Sequence, residues 1–178
     1  MDNFGFIHGE LDTKILILYV LRRLPRPVDA QTLADLCSFD SGVSWFDYAD
    51  CLAGLVDTGH VEMLSGERYV ITDKGRVNGE AAETSLPYSV RMKADRLIEP
   101  VALKMRRDAM IESVHERAPG GGITVRLRLS DGKGEVMCLN LLSPDEATAE
   151  EMERYFRTDA EGIYQRIIEI LTDGMKQR

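Results

Sequence analysis

Apolar positions in the first half of the chain recur at helical spacing in four segments. The first segment begins at Leu11 and ends at Pro25. The second follows Pro27-Val28-Asp29, the third begins near Ser44, and the fourth follows Thr72. Asp29, Ser44 and Thr72 carry side-chain oxygens that can accept hydrogen bonds from the free amides of a first helical turn. The pattern therefore predicts four capped or proline-bounded helices before residue 86.

The third predicted helix has an apolar side and an acidic side. Its inward positions are Trp45, Tyr48, Leu52, Leu55 and Val56. Asp47, Asp50 and Gly54 share the outward side, and Thr58-Gly59 ends the helix, because Gly59 can adopt the left-handed conformation that closes helices. The sequence thus predicts an amphipathic helix that presents carboxylates to its surroundings.

Two short runs after this helix alternate as β-strands do. Val61–Leu64 and Arg68–Ile71 flank Ser65-Gly66, which has the composition of a tight turn. A helix, a polar turn over Phe39–Val43, a second helix and a hairpin are the parts of a winged helix-turn-helix. The sequence predicts this domain over residues 1–86, and its first nine residues are predicted to form an arm that lies on the surface or on a partner.

The second half of the chain, residues 87–178, has a different period. A basic helix is predicted from Tyr88 to about Arg107, with Pro100 kinking or restarting it. Strands are predicted over 109–117, 123–130 and 135–142, although the first also fits a longer helix. Pro144 suits the first position of a closing helix, and Thr158-Asp159 suits a break in it. The fold class is therefore α+β: a winged helix, a kinked helix, a small antiparallel three-stranded sheet and one or two C-terminal helices.

Several short motifs accompany this order of elements. They are Leu55-Val-Asp-Thr-Gly59, Ile71-Thr-Asp-Lys-Gly-Arg76, the break at Leu86-Pro87 and Ile163-Tyr164. With them, nearly the whole chain resembles the uncharacterised bacterial family catalogued as domain of unknown function 4364. The resemblance implies a winged helix, a C-terminal α+β part and a transcriptional role, without an established ligand or catalytic residue. The family commonly has Trp where Phe156 stands, and this change keeps a buried aromatic side chain.

The charge distribution conflicts with a simple DNA-binding interpretation. The net charge is −8, and residues 1–86 hold 7 basic and 14 acidic side chains. Between Arg26 and Arg68 there is no Lys or Arg, whereas that interval holds eight carboxylates. Phosphate neutralisation by cations supplies most of the attraction between proteins and DNA. The charge therefore argues against a protein that coats nucleic acid.

Two functions remain open for the third helix. In the first, a homodimeric transcriptional regulator binds double-stranded DNA and reads base edges through Ser44 and Asp47. The cations available to grip the DNA backbone beside it are Lys14, Arg22, Arg23, Arg26, Arg68, Lys74 and Arg76. In the second, an adaptor docks this acidic helix on a basic protein surface and never binds DNA.

The basic helix also allows two interpretations. Its cations are Arg91, Lys93, Arg96, Lys104, Arg106 and Arg107. They could face phosphates, but Asp95, Glu99 and Asp108 favour a solvated face. Its apolar positions could serve a twofold dimer of the kind common among helix-turn-helix regulators.

Catalytic and metal-binding patterns are weak. His8, His60 and His115 have no Ser or Cys partner in a recognisable motif, and Pro119–Gly122 lacks the lysine of a phosphate loop. We expect no enzyme activity, cofactor or metal. Cys37, Cys51 and Cys138 are expected to be reduced and buried. With no apolar run of membrane-spanning length, the sequence predicts a cytoplasmic protein.

Overall fold

The computed structural model describes residues 9–39, 44–118 and 120–176, so the predicted N-terminal arm and most of the 39–43 turn lie outside it. The described chain is a mixed α+β arrangement with two three-stranded antiparallel sheets. Two compact units comprise residues 1–105 and 106–178. The sequence had placed a division after residue 86. The unit boundary falls later because helix α5, Tyr88–Met110, buries Val90, Ala94 and Ile98 in the first core.

The first unit contains five helices and one small sheet among the described residues. The elements are α1 Gly9–Arg23, β1 Val28–Asp29, α2 Ala30–Cys37, α3 Trp45–Asp57, β2 Val61–Leu64, β3 Arg68–Ile71, α4 Asp73–Ala82, a 3-10 turn Glu83–Ser85 and most of α5. The strands pair antiparallel in the order β1-β3-β2. The predicted helices and hairpin are confirmed. α5 continues through Pro100, so the restart that the sequence allowed does not occur.

Local side-chain caps define the helix starts. Asp29 accepts a hydrogen bond from the Thr32 amide at 2.9 Å, and Thr72 accepts one from the Gly75 amide at 3.1 Å. Gly59 has φ 70°, in the left-handed region that an L-residue adopts only at a cost. These contacts lie within a few residues along the chain, which is why the sequence predicted them.

Helix α1 is the centre of the first core. Every residue from Ile15 to Leu21 is buried, and Leu16, Ile17 and Val20 have no exposed surface. A helix that is apolar on all sides must be surrounded by protein. The other helices of this unit are therefore arranged around α1.

Helix α4 packs closely because it carries two glycines. A Cβ built on Gly75 would lie 2.1 Å from the carbonyl oxygen of His60, and one on Gly79 would lie 3.1 Å from both Leu18 Cβ and Arg22 Cδ. No larger side chain fits at Gly75 without displacing backbone. Glycine at these two positions allows α4 to approach both the turn before β2 and helix α1.

The second unit is an antiparallel meander covered by one long helix. Its strands are β4 Ile111–Arg117, β5 Ile123–Ser130 and β6 Glu135–Ser143, in the order β4-β5-β6, and its helix is α6 Glu146–Lys176. The three predicted strands are confirmed. The first begins two residues later than expected, since Ala109 and Met110 end α5.

The predicted break in the last helix is also confirmed. Asp159 has non-helical φ and ψ of −138° and 39° inside α6. The predicted start was wrong by two residues, because the Asp145 carboxylate accepts a hydrogen bond from the Thr148 amide at 2.8 Å and caps the first turn. Pro144 therefore precedes the helix instead of occupying its first position.

Helix α6 covers only one face of the sheet. Val125, Phe156 and Ala160 are fully buried between them, whereas Arg126 and Arg128 of β5 are exposed on the opposite face. Cys138 alternates with the buried Met137 and is exposed, so the prediction that all three thiols are buried was wrong for this one. Cys37 and Cys51 are buried as expected. Across the described ranges, every helix is too short or too polar to cross a bilayer.

Candidate functional site

Helix α3 begins with a reciprocal contact between two side chains that the sequence assigned to base reading. The Ser44 hydroxyl accepts a hydrogen bond from the Asp47 amide at 3.1 Å and donates one to Asp47 Oδ2 at 2.6 Å. Both side chains are exposed. The hydroxyl is therefore engaged within the first helical turn as a cap, and it stands beside a carboxylate instead of a cation.

The surface of α3 is more apolar than its sequence pattern suggested. Trp45 was expected on the inner side of the helix but is 58% exposed, and its neighbour Phe46 is 79% exposed. Met63 of β2 is 55% exposed. Asp50 and Asp57 are exposed on the same helix. We call Trp45, Phe46, Asp50, Asp57 and Met63 together the α3 face.

A groove of about 320 Å³ lies between α3 and the small sheet. Its walls are Ala30, Trp45, Tyr48, Ala49, Leu52, Ala53, Val56, Asp57, Met63 and Tyr69. Three alanines, two tyrosines, Trp45 and Met63 are among these residues, and Asp57 is the one carboxylate in this lining. An apolar concavity bordered by a carboxylate suits an apolar side chain that is carried by a basic segment.

Tyr48 brings an unpaired polar atom to the groove lining. Its side chain is 3% exposed, and its buried hydroxyl has no hydrogen-bond partner among the described residues. Burial raises the pKa of this phenol well above its ordinary value. An unpaired buried hydroxyl reduces stability, and residues that carry such a cost often serve a role other than stability.

The two C-terminal arginines of α1 point to other parts of the first unit. Arg22 pairs with Glu83 at 2.7 Å, and Arg23 pairs with Asp95 at 3.0 Å and lies 3.4 Å over the Tyr19 ring. The Tyr19 hydroxyl donates to both carboxylate oxygens of Asp95, at 2.9 and 3.0 Å. We call these five residues the arginine junction. It joins α1 to the 3-10 turn Glu83–Ser85 and to α5, so Arg22 and Arg23 hold the fold together and are not free to bind phosphates.

The remaining candidate cations are dispersed. Lys74 donates to the Thr58 carbonyl at 2.7 Å, which satisfies the C-terminal end of α3, and Arg68 donates to the Ser65 carbonyl at 3.4 Å. Arg26 and Arg76 are exposed and have no ion pair with the residues that the structure describes. Arg26 follows α1, Arg68 lies on β3 and Arg76 lies on α4. They do not form a row along α3.

Lys14 is the cation nearest the middle of α3, and it is also paired. It donates to the Glu10 carboxylate, and a Cβ built on Gly54 would lie 3.4 Å from its Nζ. Asp47 and Asp50 line a second, smaller hollow with Glu10 on this side of the helix. Helix α3 is thus bordered by carboxylates both at the groove and at the N-terminal end of α1.

The two described histidines are held on both ring nitrogens. His60 lies 2.8 Å from Thr58 Oγ1 and 2.8 Å from Asn78 Nδ2, and burial lowers its pKa. His115 lies 2.9 Å from Glu153, and hydrogen bonds to Glu153 and Glu146 raise its pKa. No three metal-binding side chains converge within the described ranges, and His8 lies outside them.

Sequence reasoning missed the groove because it placed Trp45 inside. Phe46 provided a signal, since it is apolar at a position where the helical period requires a polar outward residue. On an amphipathic helix with a single inner face, two adjacent aromatic residues do not both belong to that face. The surplus aromatic could therefore have indicated a binding surface.

Comparisons with known proteins identify one relationship. A family model with the description "Domain of unknown function (DUF4364)" matches residues 13–171. No curated protein matches the chain, and no solved structure matches it. The family match covers both units.

Proposed function

This chain belongs to the family of domain of unknown function 4364, and we propose that it is an adaptor in which a winged helix docks on a basic protein segment. The docking surface is the α3 face with its groove. The C-terminal α+β unit serves assembly or sensing. The adaptor works in the cytoplasm, a compartment that suits three cysteines without a disulfide.

The order and pairing of elements support a winged helix. Helix α1, strand β1, helices α2 and α3 and the β2–β3 hairpin follow one another, and β3 lies between β1 and β2 in the sheet. In DNA-binding helix-turn-helix proteins, the second helix of the motif enters the major groove. Here that helix is α3, so its surface chemistry decides between DNA and protein.

One observation favours a protein over DNA as the ligand of α3. The α3 face exposes Trp45 and Phe46 together with Asp50 and Asp57, and neither carboxylate forms an ion pair among the described residues. Against a phosphate backbone, Asp50 and Asp57 would add repulsion, and the aromatic rings would have no apolar surface to cover. Against a protein, large aromatic side chains in an apolar groove are the groups that supply most binding energy. The geometry therefore favours a protein ligand.

The chemistry of the α3 face also specifies the ligand. The groove can accept apolar side chains, and the carboxylates of Asp57 at its border and of Asp50 elsewhere on the α3 face attract lysine or arginine close to them. An amphipathic basic helix presents these two types of side chain together, at positions three or four residues apart.

The test uses a displayed library of helical peptides selected on the full-length chain. Trp45 is the single tryptophan of the sequence, so its emission reports binding at the groove without a label. Selected peptides should be basic, should carry apolar side chains at helical spacing and should shift the Trp45 emission to shorter wavelength. Replacing their lysines by glutamate should abolish the shift.

Two substitutions make the experiment specific to this surface. Phe46→Ala should weaken the best peptide at least about tenfold, and Asp57→Lys should weaken it by charge repulsion. Val77→Ala is the control, because Val77 is 67% exposed on α4, away from the groove lining. Selection of acidic peptides, or equal losses with Val77→Ala, would contradict the proposal.

A DNA-binding regulator is the second candidate, and the exposed Arg26, Arg68 and Arg76 favour it. They could bind phosphates beside a helix that itself contributes little affinity. Selection of bound fragments from random and genomic duplex DNA at low salt tests this function. Enrichment that is lost in the triple variant Arg26→Gln, Arg68→Gln and Arg76→Gln would favour the regulator over the adaptor.

A further inference from the structure

The sheet of the second unit has two edges that differ in protection. In the order β4-β5-β6, each outer strand pairs with β5 alone within the described chain. An unpaired strand edge offers a row of backbone donors and acceptors to any other strand, and proteins usually protect such edges with charge or with a covering side chain.

Strand β4 is protected in both ways. It carries Glu112, Glu116 and Arg117 among its seven residues. Arg157 of α6 reaches over it, donating to the Ser113 hydroxyl at 2.7 Å and to the Ser113 carbonyl oxygen at 2.8 Å. A second strand cannot approach this edge without displacing an arginine that is already bonded there.

Strand β6 has neither protection. From Val136 to Ser143 it contains no charged residue and no proline. Leu142 is 78% exposed and Leu141 is 41% exposed. Its one carboxylate, Glu135, lies at its first position and pairs with Arg128 at 2.8 Å. Such a long, uncharged edge strand is expected to pair with another strand.

We propose that β6 pairs antiparallel with β6 of a second copy of this chain, forming a continuous six-stranded sheet across a twofold axis. A pairing centred on Leu139 sets Met137 to Leu141 of the two strands directly opposite each other, and the β-bulge at Val136, where the register between β5 and β6 shifts, ends the regular pairing. It sets Leu139 opposite the partner's Leu139, and it sets Cys138 opposite the partner's Asn140. No two like charges meet, so the strand is complementary to itself.

A second copy explains the contrast between the edges better than a different partner does. A twofold contact needs one edge for each chain and leaves the other two edges at the ends of the joined sheet. Those outer edges would be the two β4 strands, which are the edges that charge and Arg157 protect. This inference is independent of the α3 face, which lies in the first unit.

Cys138 provides a direct probe of this pairing. It is the one exposed thiol of the three cysteines, and it lies one residue from the proposed centre. In the Leu139-centred register, the two Cys138 residues are offset by two positions, so their Cα atoms lie about 8 Å apart. A short bismaleimide should therefore link two copies of the natural chain at this residue.

The experiment combines this cross-linking with sedimentation equilibrium on the full-length chain. The natural chain should be a dimer that cross-links, and Cys138→Ser should abolish the cross-link. Leu142→Lys should weaken the dimer at least about tenfold by placing an ammonium group in the shared sheet. Val114→Lys is the matched control, because Val114 is 43% exposed on the same sheet face of β4, and its dimer should be unchanged.

Three results would overturn the proposal. One is a natural chain that stays monomeric at about 100 µM, well above the micromolar range of specific interfaces. Another is a dimer that Leu142→Lys leaves as strong as before. The third is a dimer that Val114→Lys disrupts as much as Leu142→Lys does. Either substitution replaces an exposed side chain, so the fold should survive both.

Discussion

The arginine junction and the α3 face use charge in opposite ways. At the junction, Arg22 and Arg23 are matched by Glu83 and Asp95 of the same unit. On the α3 face, Asp50 is exposed and has no ion pair with another described residue. The chain thus uses its N-terminal arginines for its own stability and leaves carboxylates available to a ligand. In this unit, a cation's place in the sequence gave no indication of its role.

The closeness of packing also differs within the first unit: α4 is tightly packed against its neighbours, whereas α3 borders an open groove. Helix α4 approaches α1 and the His60 turn so closely that only glycine fits at position 75. Helix α3 has space beside it, where a groove of about 320 Å³ remains open. The free energy of unfolding should therefore be sensitive to substitution where α4 packs on its neighbours and tolerant of substitution on α3.

Alanine in place of glycine should give the largest contrast. Gly75→Ala should lower the free energy of unfolding by about 2–3 kcal/mol, because the new Cβ would clash with the His60 carbonyl oxygen. Gly54→Ala on α3 should raise it by about 0.5–1 kcal/mol, since a helical glycine is replaced where only the flexible Lys14 amine is near. Urea denaturation followed by circular dichroism measures both. If both variants changed the free energy of unfolding in the same direction, the comparison would be contradicted.

Neutralising a carboxylate should give the next contrast. Glu83→Gln leaves the guanidinium groups of Arg22 and Arg23 without their shared partner, and their side chains are only 19% and 31% exposed. The expected loss of about 1–2 kcal/mol lies between the values for exposed and buried pairs. Asp57→Asn, on the α3 face, should change the unfolding free energy by less than about 0.5 kcal/mol. A larger loss for Asp57→Asn would show that its carboxylate is structural.

Removing a hydroxyl tests the same contrast with two buried tyrosines. Tyr19→Phe should cost about 1–1.5 kcal/mol, because the Tyr19 hydroxyl donates to Asp95. Tyr48→Phe should cost almost nothing or stabilise the chain, since its hydroxyl has no hydrogen-bond partner among the residues that the structure describes. Chemical denaturation at pH 7 distinguishes these outcomes. A substantial loss for Tyr48→Phe would indicate a partner for that hydroxyl.

The pH dependence at Tyr19 follows from the same contact. Burial and the hydrogen bond to Asp95 raise its pKa to about 12, above the value of an unfolded tyrosine. A raised pKa contributes stability that is complete below about pH 10 and is lost as the pH rises toward 12. Unfolding free energies measured from pH 9 upward should fall more steeply for the natural chain than for Tyr19→Phe. Parallel profiles would show that this phenol does not titrate differently in the folded state.

Substitution of Phe46 should give the smallest effect on stability. Phe46→Ser removes a ring that is 79% exposed, so the unfolding free energy should change by less than about 0.5 kcal/mol. The same change should weaken peptide binding to the α3 face at least about tenfold. Thermal unfolding and the Trp45 emission titration measure the two properties in one sample. A destabilised variant would place the ring in the fold instead of in a binding surface.

Local features of the fold could be predicted from the sequence, because their causes lie within a few residues. The caps at Asp29, Ser44 and Thr72, the turn at Gly66 and the break at Asp159 all depend on neighbours along the chain. The period of the apolar residues predicted the β2–β3 hairpin, the second sheet and the order of these elements, but not strand β1, which pairs with β3 through distant residues. These predictions required no knowledge of distant contacts.

The surface chemistry could not be predicted in the same way. Arg22 and Glu83 are 61 residues apart, so no local pattern reveals that they pair. The period placed Trp45 on the inner side of α3, but it cannot say whether another element covers that side. Only the packing of α3 against the small sheet leaves this ring 58% exposed at the border of a groove.

The affinity for random-sequence duplex DNA at about 50 mM salt tests the central claim most directly, measured for the natural chain, Asp47→Asn and Asp50→Asn. An adaptor whose α3 face serves a protein should bind no tighter than about 10⁻⁴ M, and neither substitution should change this. Micromolar binding that weakens steeply with added salt, and that tightens when either carboxylate is neutralised, would contradict the account and identify α3 as a DNA-contacting helix.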